Sequence, residues 1–290
     1  MAGGAGERLR VILRAMVAQP PVLVAPDAFG GELRAPVVAA AIGRGLERAG
    51  VAPPPELCPV AGGGPGTSEV LLPVLGGETG DGFALVDGGG TAIVERAATA
   101  RATGARVAAA VDAGAEVVLV AAGGAVEFDG GDGAVEAIED GGGLRGAALV
   151  VLCELRAAWD QKTGDLRRDP RGIPMSAAGG GLAGALWAQY DARLVAGAPF
   201  VLEQLGFDAR VRAARAVVVG ERRLDRATLE GRVAGEIATR ARQSGVPCHA
   251  VVAETAIDRF DTRILDLQGI LVASTIAEIE AAGAALAAYL

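Results

Sequence analysis

The chain reads as an α/β protein with a parallel sheet flanked by helices, and three features of the sequence say so. Short runs rich in Val, Ile and Leu alternate with alanine-rich segments almost from end to end. The runs are continuously apolar, the pattern of strands covered on both faces, where half-exposed strands would alternate. Several are followed by glycine clusters, which suit the sharp turns from strand to helix in such folds.

Taken in order, a strand over 22–25 passes through a turn at 27–31 into a helix over 36–49, with Pro36 suited to its first turn. A second strand over 56–60 leads through the loop AGGGPG to a helix over 67–75. Residues 84–87 and 91–95, joined by Gly88, Gly89 and Gly90, form a hairpin. A helix over 103–113, a strand over 117–121, the loop GGAVEFDGGDG, a helix over 133–139 and a strand over 148–152 follow. The stretch 156–172, RAAWDQKTGDLRRDPRG, is the most charge-dense in the chain and reads as a long exposed loop or a linker. Beyond it AAGGGLAGALWAQY turns into a helix, and strand 216–219, helix 227–244, strand 248–253, helix 257–267, strand 270–273 and helix 275–289 complete the chain. Both ends carry parallel-strand signatures, so strands 22–25 and 216–219 are expected in one sheet, with the middle forming a smaller second unit.

Composition excludes several functions. The 290 residues are 51% hydrophobic, ample for a core and unlike a disordered chain. A net charge of −8 argues against nucleic acid or an anionic membrane surface as partner, and 3% aromatic residues leave few platforms for stacking bases. Cys58, Cys153 and Cys248 are an odd, widely spaced set within apolar runs, as reduced buried thiols are. His249 is the only histidine and there is no CxxC, which argues against a zinc site or a Ser-His-Asp triad and leaves His249 as a strand residue. No apolar run reaches the roughly 18–20 residues of a membrane span. Arg8, Arg10 and Arg14 interrupt what would be the core of a signal peptide, so residues 1–21 are expected to be an amphipathic extension and the protein cytoplasmic.

In open α/β sheets ligands sit beyond the carboxyl ends of the strands, and four glycine-rich loops are expected there: 27–31, 61–66, 123–133 and 220–225. Backbone N–H groups in such loops can approach an anion closely. No P-loop is present, and no Rossmann GxGxxG follows the first strand.

Seven segments, in order, resemble the bacterial glycerate 2-kinases. VAPDAFGGELRA is similar to that family's IAPDSFKGSLSA, CPVAGGGPGT to PMADGGEGT, and AAGGAVEFDGG to GIGGSATNDGG. VLCEL is similar to ACDV, GIPMSAAGGGLAGAL to GAGAAGGLGAG, GERRLDRATLEGRVAGEIA to GEGRLDxQTxxGKxPxGVA, and GVPCHAVVAE to GVPVIALAG. The chain is shorter than usual members, with losses mainly between Val94 and Gly104 and around Cys153. The resemblance implies a flavodoxin-like domain over 22–80 and 192–290 with a mixed α/β domain inserted over 81–191, and a site in the cleft between them. It also implies transfer of the γ-phosphoryl of ATP to glycerate, with Mg²⁺ as cofactor, a small hydroxy acid as partner, and room for a homodimer.

Departures fall on the polar positions. The family's Ser, Lys and Ser in the first loop are Ala28, Gly30 and Glu32 here; its Asp and Glu in the second are Gly62 and Pro65. Ser and Asn of the third are Ala125 and Phe128, the Asp of ACDV is Glu154, and the middle Gly of GEGRLD is Arg222. Glycines and apolar frame survive while polar groups are replaced, which predicts a retained fold with a degraded site and weak or lost activity. Lys162 lies in the long polar loop and cannot stand in for the lost lysine.

Asp27, Arg223 and Asp225 are the catalytic candidates, with Asp27 and Asp225 also as metal ligands. Asp27 could instead make an Asx turn, and Asp225 an ion pair and helix cap. Gly31, Gly66, Thr67, Gly123, Gly124, Asp129, Gly130, Glu221 and Arg232 are the candidates for holding substrate or phosphate. Thr67 also suits a helix cap, and Asp129 could brace its own loop. Gly123, Gly124, Gly130 and Gly131 are expected to serve positive-φ turns or close packing. Two classes stay open: a weak or re-targeted kinase, needing Asp27, Arg223 and Asp225 at one cleft with room for nucleotide, and a non-catalytic descendant that binds a ligand or an active paralogue, its cleft filled by Phe128, Pro65 and Arg222.

Overall fold

β1 (Val22–Pro26) is buried along its whole length and pairs in parallel on both sides, with β2 (Glu56–Leu57) and with β9 (Ala216–Leu224). The computed structural model describes residues 19–124, 129–161 and 164–290. Most of the N-terminal extension, Ala125, Phe128 and Lys162 therefore lie outside the described residues. β9 pairs in parallel with β10 (Cys248–Thr255), and β10 with β11 (Leu267–Val272), giving the order β11-β10-β9-β1-β2. The two ends of the chain share one sheet, as their apolar runs predict.

Alternate residues of these strands feed two layers. Val22, Val24, Val218 and Val251 pack under α1 (Ala35–Arg48) and α10 (Ile276–Leu286), through Val38, Ile42, Leu46 and Ile279. Leu23, Ala25, Val217, Val219 and Ala250 face α6 (Gly197–Gln204), α7 (Phe207–Ala213) and α8 (Val233–Gln243), through Val201, Phe207 and Ile237, and α9 (Arg259–Leu265) adds Leu265 to the same core. Helices cover both faces, so the strands can be apolar throughout.

Residues between the halves build a second, mixed sheet. β3 (Glu78–Thr79), β4 (Ala84–Val86) and β5 (Thr91–Glu95) run antiparallel, and β6 (Val117–Ala121), β7 (Ala148–Cys153) and β8 (Arg193–Ala196) continue from β5 in parallel. Its outer face carries α3 (Ala100–Asp112), α4 (Asp132–Asp140) and α5 (Leu182–Tyr190). Its inner face, with Ile93 and Leu119, shares a core with α2 (Thr67–Leu75) and α6. The two sheets are thus held by common apolar packing, and a cleft opens where their loops meet.

Several expected elements differ in detail. The second strand ends at Leu57, although Cys58 and Val60 still donate to the carbonyls of Val24 and Pro26. The segment 220–225, expected as a loop, lies in β9 as far as Leu224. The helix over 227–244 is split: a 3₁₀ turn (Arg226–Glu230) ends at Gly231, whose φ is +113°, before α8 begins. Four short elements, β3, β8, α6 and α7, lack any sequence expectation. The described residues of the charged stretch 156–172 form a loop between β7 and α5 rather than a linker, pinned by buried Trp159, whose backbone N–H donates to Ser176 Oγ at 2.7 Å. Cys58, Cys153 and Cys248 are buried free thiols, as expected. Among the described residues no helix is long and apolar enough to cross a membrane.

α1 and α10 approach closely because Gly45 and Gly283 carry no side chain. A Cβ on Gly45 would lie 2.1 Å from the Glu280 carbonyl oxygen and 2.8 Å from the Ala284 nitrogen. Gly45→Ala is therefore expected to destabilise the protein by about 1–3 kcal/mol in urea unfolding, despite the better helix propensity of alanine.

Candidate active site

In this first sheet the strand order reverses between β1 and β9, the point where ligands enter doubly wound folds. The pairing is tight there: Pro26 sits opposite Gly220, and the Asp27 N–H donates to the Gly220 carbonyl at 2.9 Å. It places Asp27, the first residue after β1, beside Glu221 of β9. Both line a cavity of about 480 Å³ whose other walls come from Gly30, Gly62, Gly64 and Pro65, from Gly124 and Glu154, and from Arg222, Arg223 and Arg232.

Three carboxylates converge. The Asp27 side chain accepts from the N–H of the next residue, Ala28, at 2.7 Å, one residue short of the Asx turn open to it from sequence, and it lines the cavity. Glu154, just past β7, accepts from the Gly124 N–H at 2.8 Å. Gly62 separates the two: a Cβ built there would lie 3.5 Å from Glu154 Cγ and 4.0 Å from Asp27 Oδ2. Glu221 is 7% exposed and accepts from the Thr228 hydroxyl at 3.0 Å. Burial pushes the Asp27 carboxyl up to about 7, with the Glu154 charge adding to the rise. Burial likewise raises Glu221 to about 8, against the opposing pull of the Thr228 hydrogen bond and Arg232.

Arginines answer this charge unequally. Arg223 Nε is 3.1 Å from Asp225 Oδ2, and its Nη1 is 3.6 Å from Glu254. Arg232, at the start of α8, reaches Asp225 at 3.8 Å and Glu221 at 4.0 Å, while its Nε is buried with no partner among the described residues. Arg232 also lines the cavity, which places its guanidinium where it can meet a ligand oxygen. Asp225 caps the 3₁₀ turn by accepting from the Ala227 N–H at 3.0 Å. It holds the two arginines and does not line the cavity.

The glycine loops supply the rest. Gly31 and Gly66 line an adjoining cavity of about 700 Å³ that shares Asp27, Ala28, Gly30 and Pro65 with the first. Gly66, not Thr67, is the cap of α2; Thr67 is buried in the first turn and its hydroxyl donates to the Gly64 carbonyl at 2.6 Å. Gly123 packs on Gly64 and donates to the Gly63 carbonyl at 2.9 Å, so loops of the two sheets touch. Gly124, Gly130 and Gly131 have φ of +69°, +73° and +87°, as expected of turn glycines. Asp129 accepts from the Gly131 N–H at 2.9 Å and braces its loop; neither Asp129 nor Gly130 lines the cavity. Buried His249 lies in β10, away from these walls.

Three contributors escaped the sequence reading as site residues. Glu154 was visible as the carboxylate at the end of an apolar strand. Arg222 was visible only as a departure. Arg96, which donates to the Gly123 carbonyl at 3.3 Å beside Glu154, had no motif to mark it.

A carboxyl raised in the fold contributes stability that is present in full below its unfolded value and lost as pH rises through the folded one. For Glu221 that window runs from about 4.5 to about 8. In metal-free protein Glu221→Gln should therefore flatten the fall in melting temperature across this range and be relatively stabilising above it. A wild-type curve already flat from pH 5 to 9 would contradict the assignment.

The sequence profile of the glycerate kinase family matches residues 22–97 and 147–287. A glycerate kinase of Bacillus subtilis (strain 168) is 27% identical, the alignment covering 82% of this chain and 86% of that protein. A glycerate 2-kinase of Escherichia coli (strain K12) is 24% identical over the same shares of the two chains. A crystal structure provisionally titled glycerate kinase 2, from Salmonella typhimurium LT2, superposes with a TM-score of 0.67 at 21% identity, covering 93% of this chain and 98% of that one. With a fold of this shape and a family profile matching both halves of the main sheet, the chain belongs to the glycerate kinase family.

Proposed function

We propose that the protein transfers the γ-phosphoryl group of ATP to a hydroxyl of glycerate, more slowly than family members that keep the lost polar positions. The observation that carries this reading is the convergence of Asp27, Glu154, Glu221, Arg223 and Arg232 on one open cavity at the β1–β9 switch point. A non-catalytic descendant calls for a cleft filled by its substituted residues. Pro65 and Arg222 instead form walls around about 480 Å³ of space, which favours the enzyme; Phe128 lies outside the described residues.

The residues fit Mg²⁺. Among the described residues no three metal-ligating side chains are grouped closely enough to hold an ion by themselves. Mg²⁺ does not need that, because it usually takes one or two carboxylates and completes its shell with water and phosphate. Glu154, with Asp27 across Gly62, offers that pair. When bound there the ion neutralises charge on the transferring phosphates.

The chain's own groups do the remaining work. Asp27 orients the glycerate hydroxyl and receives its proton as the new O–P bond forms and the bond to the ADP oxygen breaks. The Arg232 guanidinium, on the cavity wall, donates to a substrate or phosphate oxygen. Glu221, protonated near neutrality, adds no negative charge beside an anionic substrate. Asp225 positions Arg223 and Arg232 rather than touching the substrate.

Glycerate-dependent release of ADP, with the phosphorylated product read by ³¹P NMR, tests this directly. The wild-type protein should turn over measurably but well below the Bacillus subtilis relative assayed alongside. Asp27→Asn should lower kcat by about 100-fold or more. Absence of any glycerate-dependent ADP release by the wild-type protein, across millimolar MgATP and glycerate, would favour the non-catalytic reading.

A further inference from the structure

We propose that Arg222 is the cation that grips the phosphate chain of the nucleotide, reaching over Gly30 from the opposite strand. The inference deepens the kinase reading and rests on it. Its starting point is a contact: a Cβ built on Gly30 would lie 3.9 Å from Arg222 Cδ. The arm of Arg222 therefore runs through the space that a long side chain at position 30 would use. In the resembling segments the family pattern has Lys at position 30 and Gly at 222, whereas here position 30 is Gly and 222 is Arg. The two changes are far apart in the chain and adjacent in space, as a charge moved from one strand end to its neighbour would be.

The backbone supports an exchange. Gly30 has φ +98°, a conformation that strains any L-residue with a side chain, so this loop is shaped for glycine and takes its cation from elsewhere. Arg222 has charge to give. Its side chain is 63% exposed, and among the described residues its ion pair is a loose one, to Glu254 at 3.9 Å. Arg223 and Arg232 are each engaged by Asp225, and Arg223 also by Glu254. Arg222 is thus the cation of the cavity wall least neutralised by the protein.

Position selects phosphate over the carboxylate of a small acid. Gly30 lies where the 480 Å³ and 700 Å³ cavities join, and the larger one continues past an apolar wall of Val60, Leu72 and Pro73. A ligand gripped at this junction has room on both sides, which suits the middle of a nucleotide. Arg232, whose side chain is less exposed, serves the enclosed side. A guanidinium can meet two phosphate oxygens at once through its planar fork, so an arginine here is a stronger clamp than a point charge.

The test titrates wild type, Arg222→Ala and Arg222→Lys with MgATP, inorganic tripolyphosphate and glycerate at fixed ionic strength, by calorimetry or NMR. Because the side chain is exposed, the ligand-free variants should melt with the wild type. Arg222→Ala should weaken MgATP and tripolyphosphate by 10-fold or more and leave glycerate within twofold, with Arg222→Lys recovering part of the loss. Unchanged tripolyphosphate affinity in Arg222→Ala would overturn the proposal while leaving the kinase reading intact. A loss confined to glycerate would also overturn it, placing Arg222 on the acid. Tripolyphosphate binding that depends on Arg222 without any glycerate turnover would support the clamp and sink the kinase reading. A wild type that binds neither MgATP nor tripolyphosphate would overturn both.

Discussion

The parallel pairing of β1 with β9 is the constraint on which the rest depends. It joins residues near position 22 to residues near 216, with every residue of β1 in register from Val22–Ala216 to Pro26–Gly220. A Cβ on Gly220 would fall 2.5 Å from Pro26 Cβ, so the strands meet this closely only because position 220 is glycine. One residue further on each strand stand Asp27 and Glu221. A slip of a single residue would turn Glu221 outward and bring Arg222 into the core, since strand side chains alternate in direction. The chemistry of the cavity is therefore set by a register that apolar burial enforces.

That register concentrates negative charge where the expected substrates are themselves anionic. The conflict is eased in two ways. Burial raises Asp27 and Glu221 far enough for protons to remove part of the charge near neutrality, and Arg223 and Arg232 lie along the rim within reach of Asp225. What a purely structural ion-pair network would not explain is the loosely held Arg222 guanidinium on the cavity wall. It is a donor that suits an incoming anion.

Much of the frame was legible in sequence because burial dictates it. The strand over 117–121 and the helix over 67–75 appear with the expected limits, and the apolar runs at 22–25 and 216–219 fall in one sheet. What was missed has physical causes. β8, α6 and α7 are short and carry no long periodic stretch to announce them. The 3₁₀ break before α8 depends on Gly231 and on the Asp225 cap, which compete with a sequence otherwise suited to one long helix. Among site residues, Asp27 and Glu221 stood at strand ends and could be picked out. The demotion of Asp225 from the cavity to a brace, and of Asp129 to a loop support, needed coordinates, because one acidic residue beside a glycine looks like another in sequence.

The same limit applies to judging a site by its substitutions. Position by position, Lys to Gly in the first loop and Gly to Arg in β9 look like a loss and an unrelated gain. In space they are one neighbourhood, and the net positive charge there is unchanged. The carboxylates at positions 62 and 65 are lost without such an exchange, since position 154 is acidic in both patterns; the Glu154 side chain would contact any Cβ at position 62 and accepts from the Gly124 N–H. The longer acid at 154 alters where the remaining negative charge sits, beside Asp27, with less of it in the second loop. The exchange of cation between positions 30 and 222 alters geometry more than positive charge. Geometry governs how well a transferring phosphoryl group is aligned, and misalignment by about 1 Å can cost 100-fold in rate. A site remodelled this way would keep its ligand class and lose speed, which separates a slow enzyme from an emptied scaffold.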